Sequence, residues 1–387
     1  MHEVEFDENM TILQCFWVVT KMAAPIILGL FVFIFITNIN IYFIGSTDDA
    51  KLLAGVGMGN SLINVFAFSV TQGLNGSIET FVSSSFGAGK YEECGIFLNR
   101  GKFICTVVLI PFFVIFAVSD ILLIALGQDP TVSTIARNYC CILIPGIWAQ
   151  TMFDTTQKFL NAQFQIAITI YVQLVTLVIH LILCYLFVRV FDGREIGAAI
   201  ATNITYILNM VSLEVYCNFS KTVKHTYQFL PDRRTVQNIG TYMAVSIPSA
   251  LMVCFEWWCW EILALFAGLI SVEALAAQVI GINLIGLIFE LPLGASYAAS
   301  AFTGYFLGKK KIEQAKRYAR LTVLFNILVT LLVIVVLLVL HKQISVLFTQ
   351  DPATVEIVSD ILYFMCVFIF FDTLHGVQTG VIRGLGL

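Results

Sequence analysis

Residues 241–268 read TYMAVSIPSALMVCFEWWCWEILALFAG, and residues 20–44 read TKMAAPIILGLFVFIFITNINIYFI. At 1.5 Å per helical residue, each is long enough to cross the roughly 30 Å hydrocarbon layer of a bilayer. Each carries one proline near its start, Pro25 and Pro248, at an offset of about 222 residues. That offset also relates Gly45 to Gly268, Leu53-Ala54 to Leu275-Ala276, Asn60 to Asn283, and Gly89-Lys90 to Gly308-Lys309. It relates Gln128-Asp129-Pro130 to Gln350-Asp351-Pro352 as well. A repeat of this length in an apolar chain is the mark of membrane transporters built from two similar halves. The copies differ in one respect: the second holds carboxyls in mid-membrane where the first holds none.

Composition agrees with the membrane reading. Of 387 residues, 59% are hydrophobic and 12% charged, about half the charge of a soluble globule. No polar stretch is long enough for a soluble domain. Ten apolar segments are expected to span, near 20–44, 52–80, 100–118, 136–160, 166–188, 196–218, 241–268, 274–300, 320–340 and 357–381. Residues 120–127 suit a short amphipathic helix at the surface. The acidic first ten residues (Glu3, Glu5, Asp7, Glu8) lack the basic start of a signal peptide, so the first segment should remain as a helix. The ten cysteines lie mostly singly in apolar segments, which suits buried thiols better than disulfides or metal ligation.

Sorted by alternate connections, sixteen of the 21 Lys and Arg fall on one side, among them Arg100, Lys158 and Arg383. Five (Lys51, Arg137, Arg189, Arg194 and Lys342) fall on the other. The positive-inside rule then places the N-terminus and the 219–240 and 308–320 connections in the cytosol. The sequons at Asn9, Asn75, Asn203 and Asn218 are then cytosolic or intramembrane and should carry no glycan. The expected organisation is a cytosolic N-terminus (1–19), an N-lobe of six helices (20–218), a linker (219–240) and a C-lobe (241–387) with four. With six helices in the first half, the halves share one orientation, and a cavity should open between them. Shifting Leu387 back by the repeat offset reaches residue 165, so about four of six helices are expected in the second lobe.

Charged groups in mid-bilayer are expensive and mark functional paths. Glu256, Glu261, Glu290 and Asp372 fall there. A carboxyl removed from water among Phe, Trp and Ile favours its neutral form, so it can take and release protons. Trp257, Trp258 and Trp260 offer flat faces for an organic ring or cation. A site that holds either a proton or a cationic substrate is the basis of antiport. The bland alternative is a protonated acid that hydrogen-bonds a neighbouring helix among packing aromatics. Five helical residues rotate by about 140°, so Glu256 and Glu261 cannot both face one partner. Glu290, just before Pro292, has a capping role open to it. The repeat places Phe33, Asn38 and Gln150 opposite Glu256, Glu261 and Asp372, an asymmetry that packing alone does not explain. Asn40, Gln72, Gln150, Asn203 and Asn283 are further candidates to line a cavity or tie helices, and Glu79 and Asp154 to form a gate. No nucleotide loop, catalytic triad or metal motif is present, so neither enzyme activity nor a cofactor is expected, and no nucleic-acid partner.

Met252-Val253-Cys254-Phe255-Glu256-Trp257-Trp258-Cys259-Trp260-Glu261-Ile262-Leu263 resembles the E-W-W-x-x-E segment of the multidrug and toxic compound extrusion (MATE) family, eukaryotic branch. Gly87-Ala88-Gly89-Lys90, Phe159-Leu160-Asn161-Ala162-Gln163, Pro292-Leu293-Gly294-Ala295-Ser296 and Arg383-Gly384-Leu385-Gly386 are similar to further family motifs. The resemblance implies an all-α membrane protein of two parallel-repeat lobes. It also implies export of organic cations or polyaromatic molecules in exchange for protons, with the coupling carboxyls on Glu256, Glu261 and Asp372. It departs at Glu79, where the branch usually has Asp, at Phe302 for a usual Arg, at Lys310 for the second Gly of G-A-G, and at Asn40 for a bacterial Asp. A monomer in the plasma, vacuolar or vesicular membrane is expected. The competing readings are a non-transporting paralogue and a flippase for lipid-linked sugars, which would need a basic cavity.

Overall fold

A computed structural model describes residues 10–47, 49–270, 272–348 and 352–386; at 261, 264, 265, 267–270, 272–280, 282, 283, 347, 348, 352–354 and 357 it describes the backbone alone. Among the described residues the regular structure is helical, with no strand. In chain order the helices are α1 (Ile12–Gly45), α2 (Ala50–Gly87), α3 (Tyr91–Ala117), α4 (Ser119–Ala125), α5 (Pro130–Asn161), α6 (Ala167–Val190) and α7 (Arg194–Phe219). Then come α8 (Ile239–Ile270), α9 (Val272–Gly308), α10 (Ile312–Phe348) and α11 (Pro352–Leu385). The short amphipathic helix expected near 120–127 is α4, and the other ten coincide with the ten expected spans, most of them running further at their ends.

Among the described residues nine helices are long and apolar enough to cross a membrane. The tenth expected span, α5, has the length but not the apolarity. Its second half is packed inside the helical bundle against α2, α3 and α7. It therefore carries Gln150, Thr155, Thr156, Gln157 and Lys158 without exposing them to lipid. Three of the sixteen cations assigned to one side, Arg100, Lys158 and Arg383, are likewise buried; inside the protein Arg100 donates to backbone carbonyls and Lys158 stands between two carboxylates.

Helix ends follow local chemistry. Thr11 and Gln14 form a capping box at α1. Asp129 caps α5, with Pro130 in the first turn. Asp49 caps α2 and meets Arg194 at 2.6 Å, while Lys51 meets Asp129 at 3.1 Å. The Leu52 amide, helped by Arg194, holds the Asp49 carboxyl below its ordinary range, and Lys51 does the same for Asp129. The repeat is visible in the caps at the other end. Gly89 (φ 75°) closes α2 with the Lys90 amide donating to Ser85, and Lys310 (φ 58°) closes α9 with the Lys311 amide donating to Phe306. A left-handed conformation suits Gly but strains Lys. Lys310→Gly is therefore expected to stabilise the protein by up to about 1 kcal/mol, read as a raised thermal midpoint.

Among the described residues the two halves meet at one end. Residues from Cys15 to Ile27 of α1 share a core with Ala295–Phe306 of α9 and with Tyr318, Leu321 and Phe325 of α10. Phe302, where the family usually has Arg, lies in this seam, stacked on Tyr318 with ring centres 4.8 Å apart. The second part of α2 packs on α8 and α9, where Gly73, Gly87, Gly304 and Gly308 leave no room for a Cβ against the facing chain. Small residues at these positions let the facing backbones approach closely across the seam. Away from this end the cores separate. One is made of residues between Ile44 and Ala199, the other of residues between Ile285 and Ile369. The arrangement is a V whose closed end carries the basic 308–320 connection.

Within the second half, α11 lies on α9 through Gly376, Gly380 and Gly384, one turn apart each time. A Cβ at Gly380 would fall inside contact distance of the Ser296 carbonyl, which is backbone and cannot step aside. Gly380→Ile is expected to cost about 2–3 kcal/mol by overpacking, measured as a lowered thermal midpoint in detergent.

The 219–240 connection has no apolar periodicity, yet it is folded down onto the first half. The Arg100 guanidinium donates to the carbonyls of Arg234 and Thr235, Asn99 to those of Gln228 and Leu230, and Thr226 to Gln163. A single 3₁₀ turn covers Arg233–Val236. The chain leaves this strap at Asn238, whose φ of 54° turns it into α8.

Candidate functional site between the halves

The narrow end of the V holds a cavity of about 30 Å³, room for a water or two. Its wall takes Gln72 from α2, Val253, Glu256 and Trp257 from α8, and Phe289, Leu293, Ser296 and Tyr297 from α9, with Gly376, Thr379 and Arg383 from α11. Pro248 lies within α8, two turns before Glu256, and Pro292 lies inside α9. Each removes one helical hydrogen bond beside the cavity. The two halves are bonded across it. Gln72 Nε2 donates to Tyr297 Oη at 3.1 Å, Ser246 Oγ to Ser77 Oγ at 2.8 Å, and Thr80 Oγ1 to the Arg383 carbonyl at 2.6 Å. Trp258 Nε1 reaches the Val65 carbonyl at 3.4 Å, in the π-helical stretch Asn64–Phe68 of α2.

Of the residues singled out in the sequence, Glu256 and Trp257 are on this wall, as is Gln72. Asp372 is half-buried on α11 and within electrostatic reach of Glu256. Glu261 and Asn283 are on helices, but their side chains lie outside the described residues. Trp260 is not a wall residue: its ring meets Phe368 edge-on at 5.3 Å, inside the second half. Glu290 is also off the wall, and its enclosed Oε2 has no hydrogen-bond partner among the described residues.

Asn40 belongs to the interior of the first half. Its amide donates to Thr202 at 2.8 Å and its carbonyl accepts from Cys184 at 3.3 Å, beside His180, which bonds Thr205. These contacts tie α1, α6 and α7 together. Asn203 bonds the Ile142 carbonyl. Gln150 is buried in α5 with its Oε1 unpartnered among the described residues. At the repeat equivalent of Glu256, Phe33 stacks with Tyr206 and meets Phe68 edge-on. The first half fills with aromatics the place where the second holds an acid.

Glu79 is 2% exposed and faces the seam. Lys158 Nζ stands 3.8 Å from Glu79 Oε1, 3.8 Å from Asp154 Oδ2 and 4.8 Å from the centre of the Tyr297 ring, and donates to the Gln72 carbonyl at 3.0 Å. Asn75 donates to Asp154 at 2.8 Å and accepts from Thr155 and Cys105, filling the break in α2. Lys158 and Arg383 had been counted with the loop charges. The signal that could have separated Lys158 is Asp154 four residues before it, a pair that shares a helix face.

The MatE family model matches residues 25–186 and 248–387, starting at the two paired prolines. The chain belongs to the MatE family. Its helices superpose on the crystal structure of the eukaryotic MATE transporter AtDTX14 with a TM-score of 0.91 and 25% identity, over 97% of this chain and 84% of that one. It is 31% identical to Protein DETOXIFICATION 3 of Arabidopsis thaliana over 95% of this chain and 77% of that protein. It is 28% identical to Multidrug and toxin extrusion protein 1 of Danio rerio over 95% of this chain, and spans 62% of that relative's length. The family comprises multi-pass membrane transporters, not enzymes.

Proposed function

We propose that the protein exports small organic compounds, cations or polyaromatic molecules, in exchange for protons. The lobes would be residues 20–218 and 241–387, rocking about the 219–240 linker. The observation that carries the reading is Glu256, with Trp257, on a wall between the halves and with Asp372 in electrostatic reach. Two carboxyls that feel each other's charge away from bulk water compete for a proton, and a cation can take its place. The relatives' printed names, toxin extrusion and detoxification, support the substrate class.

The basic connections put the N-terminus and the closed end of the V in the cytosol, so the described arrangement is outward-facing. Its cavity admits water and protons, and an organic substrate requires it to widen. The membrane is the plasma membrane or a vacuolar or vesicular one.

The test is reconstitution of the full-length protein in vesicles with an imposed pH gradient and a fluorescent organic cation. Dye movement that collapses with a protonophore and persists without sodium is expected. Movement driven by sodium instead overturns the coupling ion. No dye movement, with translocation of a lipid-linked sugar, overturns the substrate class.

A further inference from the structure

The chain enters α1 beside the basic 308–320 connection. The Arg317 guanidinium of α10 donates to the Met10 carbonyl at 2.6 Å, and the Tyr318 hydroxyl lies 3.9 Å from the Met10 sulfur. Met10 also packs against the core that α1 shares with α9 and α10. Residues 1–9, which lie outside the described residues, are thus joined to the fold at the closed end of the V.

The two stretches are complementary in charge. Residues 308–320 hold six cations (Lys309, Lys310, Lys311, Lys316, Arg317 and Arg320) and one acid, Glu313. Glu313 is taken by Lys316 at 3.0 Å, and the acids that open α3, Glu92 and Glu93, are taken by Arg234 and Lys90. Residues 1–20 hold four acids, Glu3, Glu5, Asp7 and Glu8, and no Lys or Arg. Phe6 sits among those acids, and the basic surface has aromatic rings beside it. Tyr318, next to Met10, stacks on Phe302 and Phe306 with ring centres 4.8 and 4.9 Å apart. Tyr305 meets Phe86 and the half-buried Phe164 of the first half, and Lys309 Nζ stands 4.5 Å from the centre of its ring. Four extended residues reach at most about 14 Å, which brings Phe6 within range of this cluster from Met10.

We propose that the segment Glu3–Glu8 docks on the 308–320 surface of its own chain, its carboxylates on the lysines and Phe6 at the edge of the aromatic seam. Each exposed ion pair is weak alone. The tether at Met10 makes the contact intramolecular, so several weak pairs act together at a high effective concentration. That tether belongs to α1 of the first half and the surface to α9 and α10 of the second. The docked segment is therefore a second strap across the closed end, and the halves separate there only when it lets go. An anionic lipid leaflet also attracts such a run of cations, but four fixed carboxylates beside the surface neutralise most of that attraction. Docking does not depend on the export reading.

The test measures distances in the full-length protein, with the exposed Cys259 removed as Cys259→Ser. Nitroxides at Val4→Cys and at Ile312→Cys, an exposed position of α10, are read in nanodiscs of zwitterionic lipid. One narrow, short-distance population is expected at about 0.15 M salt, and its loss at about 1 M, where the screening length falls to about 3 Å. Glu3→Gln/Glu5→Gln/Asp7→Asn/Glu8→Gln should replace it with a broad population at longer distances, and so should Lys309→Gln/Lys310→Gln/Lys311→Gln. Exchanging the charges, Glu5→Lys/Asp7→Lys/Glu8→Lys with Lys309→Glu/Lys310→Glu/Lys311→Glu, should restore the narrow population, which separates docking from damage to the surface. Phe6→Ser should lower the short-distance fraction; no change would remove the aromatic anchor. A second label pair, Lys90→Cys with Glu313→Cys, exposed positions on either side of the closed end, should move to longer distances when the four acids are neutralised. No movement there overturns the strap. A broad distribution for the unaltered segment overturns the docking. So does a narrow one that vanishes when phosphatidylserine is added to the nanodiscs, because the surface then belongs to the membrane.

Discussion

Glu256→Gln and Asp372→Asn are each expected to reduce pH-gradient-driven efflux to the level of protein-free vesicles. The amides keep the size of the side chains and most of their hydrogen bonding, but they cannot ionise. If Glu256 carries the proton, a permanently neutral group gives an incoming cation nothing to displace. If Asp372 contributes through its charge on Glu256, its loss removes the competition for one proton. Both variants should reach the membrane at wild-type level with little change in thermal midpoint, because the half-buried carboxyls hold no ion pair among the described residues. Trp257→Ala should instead raise the dye concentration at half-maximal rate and leave proton dependence intact, since it removes an aromatic wall and no titrating group. Wild-type efflux in both acid variants would remove these carboxyls from the mechanism. Glu261→Gln extends the comparison to the third acid.

Lys158→Met is expected to destabilise the protein by about 3–5 kcal/mol, the range for removing one partner of a buried charge pair. Lys158 is 1% exposed and faces two carboxylates, a tyrosine ring and a backbone carbonyl. Methionine fills much of the same volume, so the cost is electrostatic: Glu79 and Asp154 are left enclosed with no ammonium between them. The double variant Lys158→Met/Glu79→Gln should recover a large part of the loss, because it withdraws one of the stranded charges. Thermal unfolding in detergent measures both. A single-variant loss under about 1 kcal/mol would mean that water reaches the cluster and screens it, as at surface pairs.

The sequence was explicit about what depends on local composition and on the repeat. A helix that crosses lipid must be apolar for about twenty residues whatever surrounds it, so nine spans and the linker were legible without coordinates. Glu256 and Asp372 stood out because a carboxyl in an apolar segment violates the composition around it. That Asp372 comes within electrostatic reach of Glu256 was not legible, because the two lie 116 residues apart on different helices.

Tertiary structure decided everything that depends on which faces meet. Hydropathy puts Trp257 and Trp260 on equal terms, yet one lines the cavity and the other packs on Phe368. Three positions on a helix turn a side chain by about 300°, which is enough to separate neighbours into site and core once the partners are placed. Lys158 and Arg383 read as cytosolic charges by the orientation rule, which counts sign and order but knows nothing of burial. Only the packing of the helices buries them, and it sets Lys158 between Glu79 and Asp154. Composition and periodicity thus determined that this chain is a repeated bundle of membrane helices with acids in its second half. The seam, the strapped linker and the Lys158 cluster arose from packing, because contacts between distant segments are set by shape and charge complementarity that no single segment encodes.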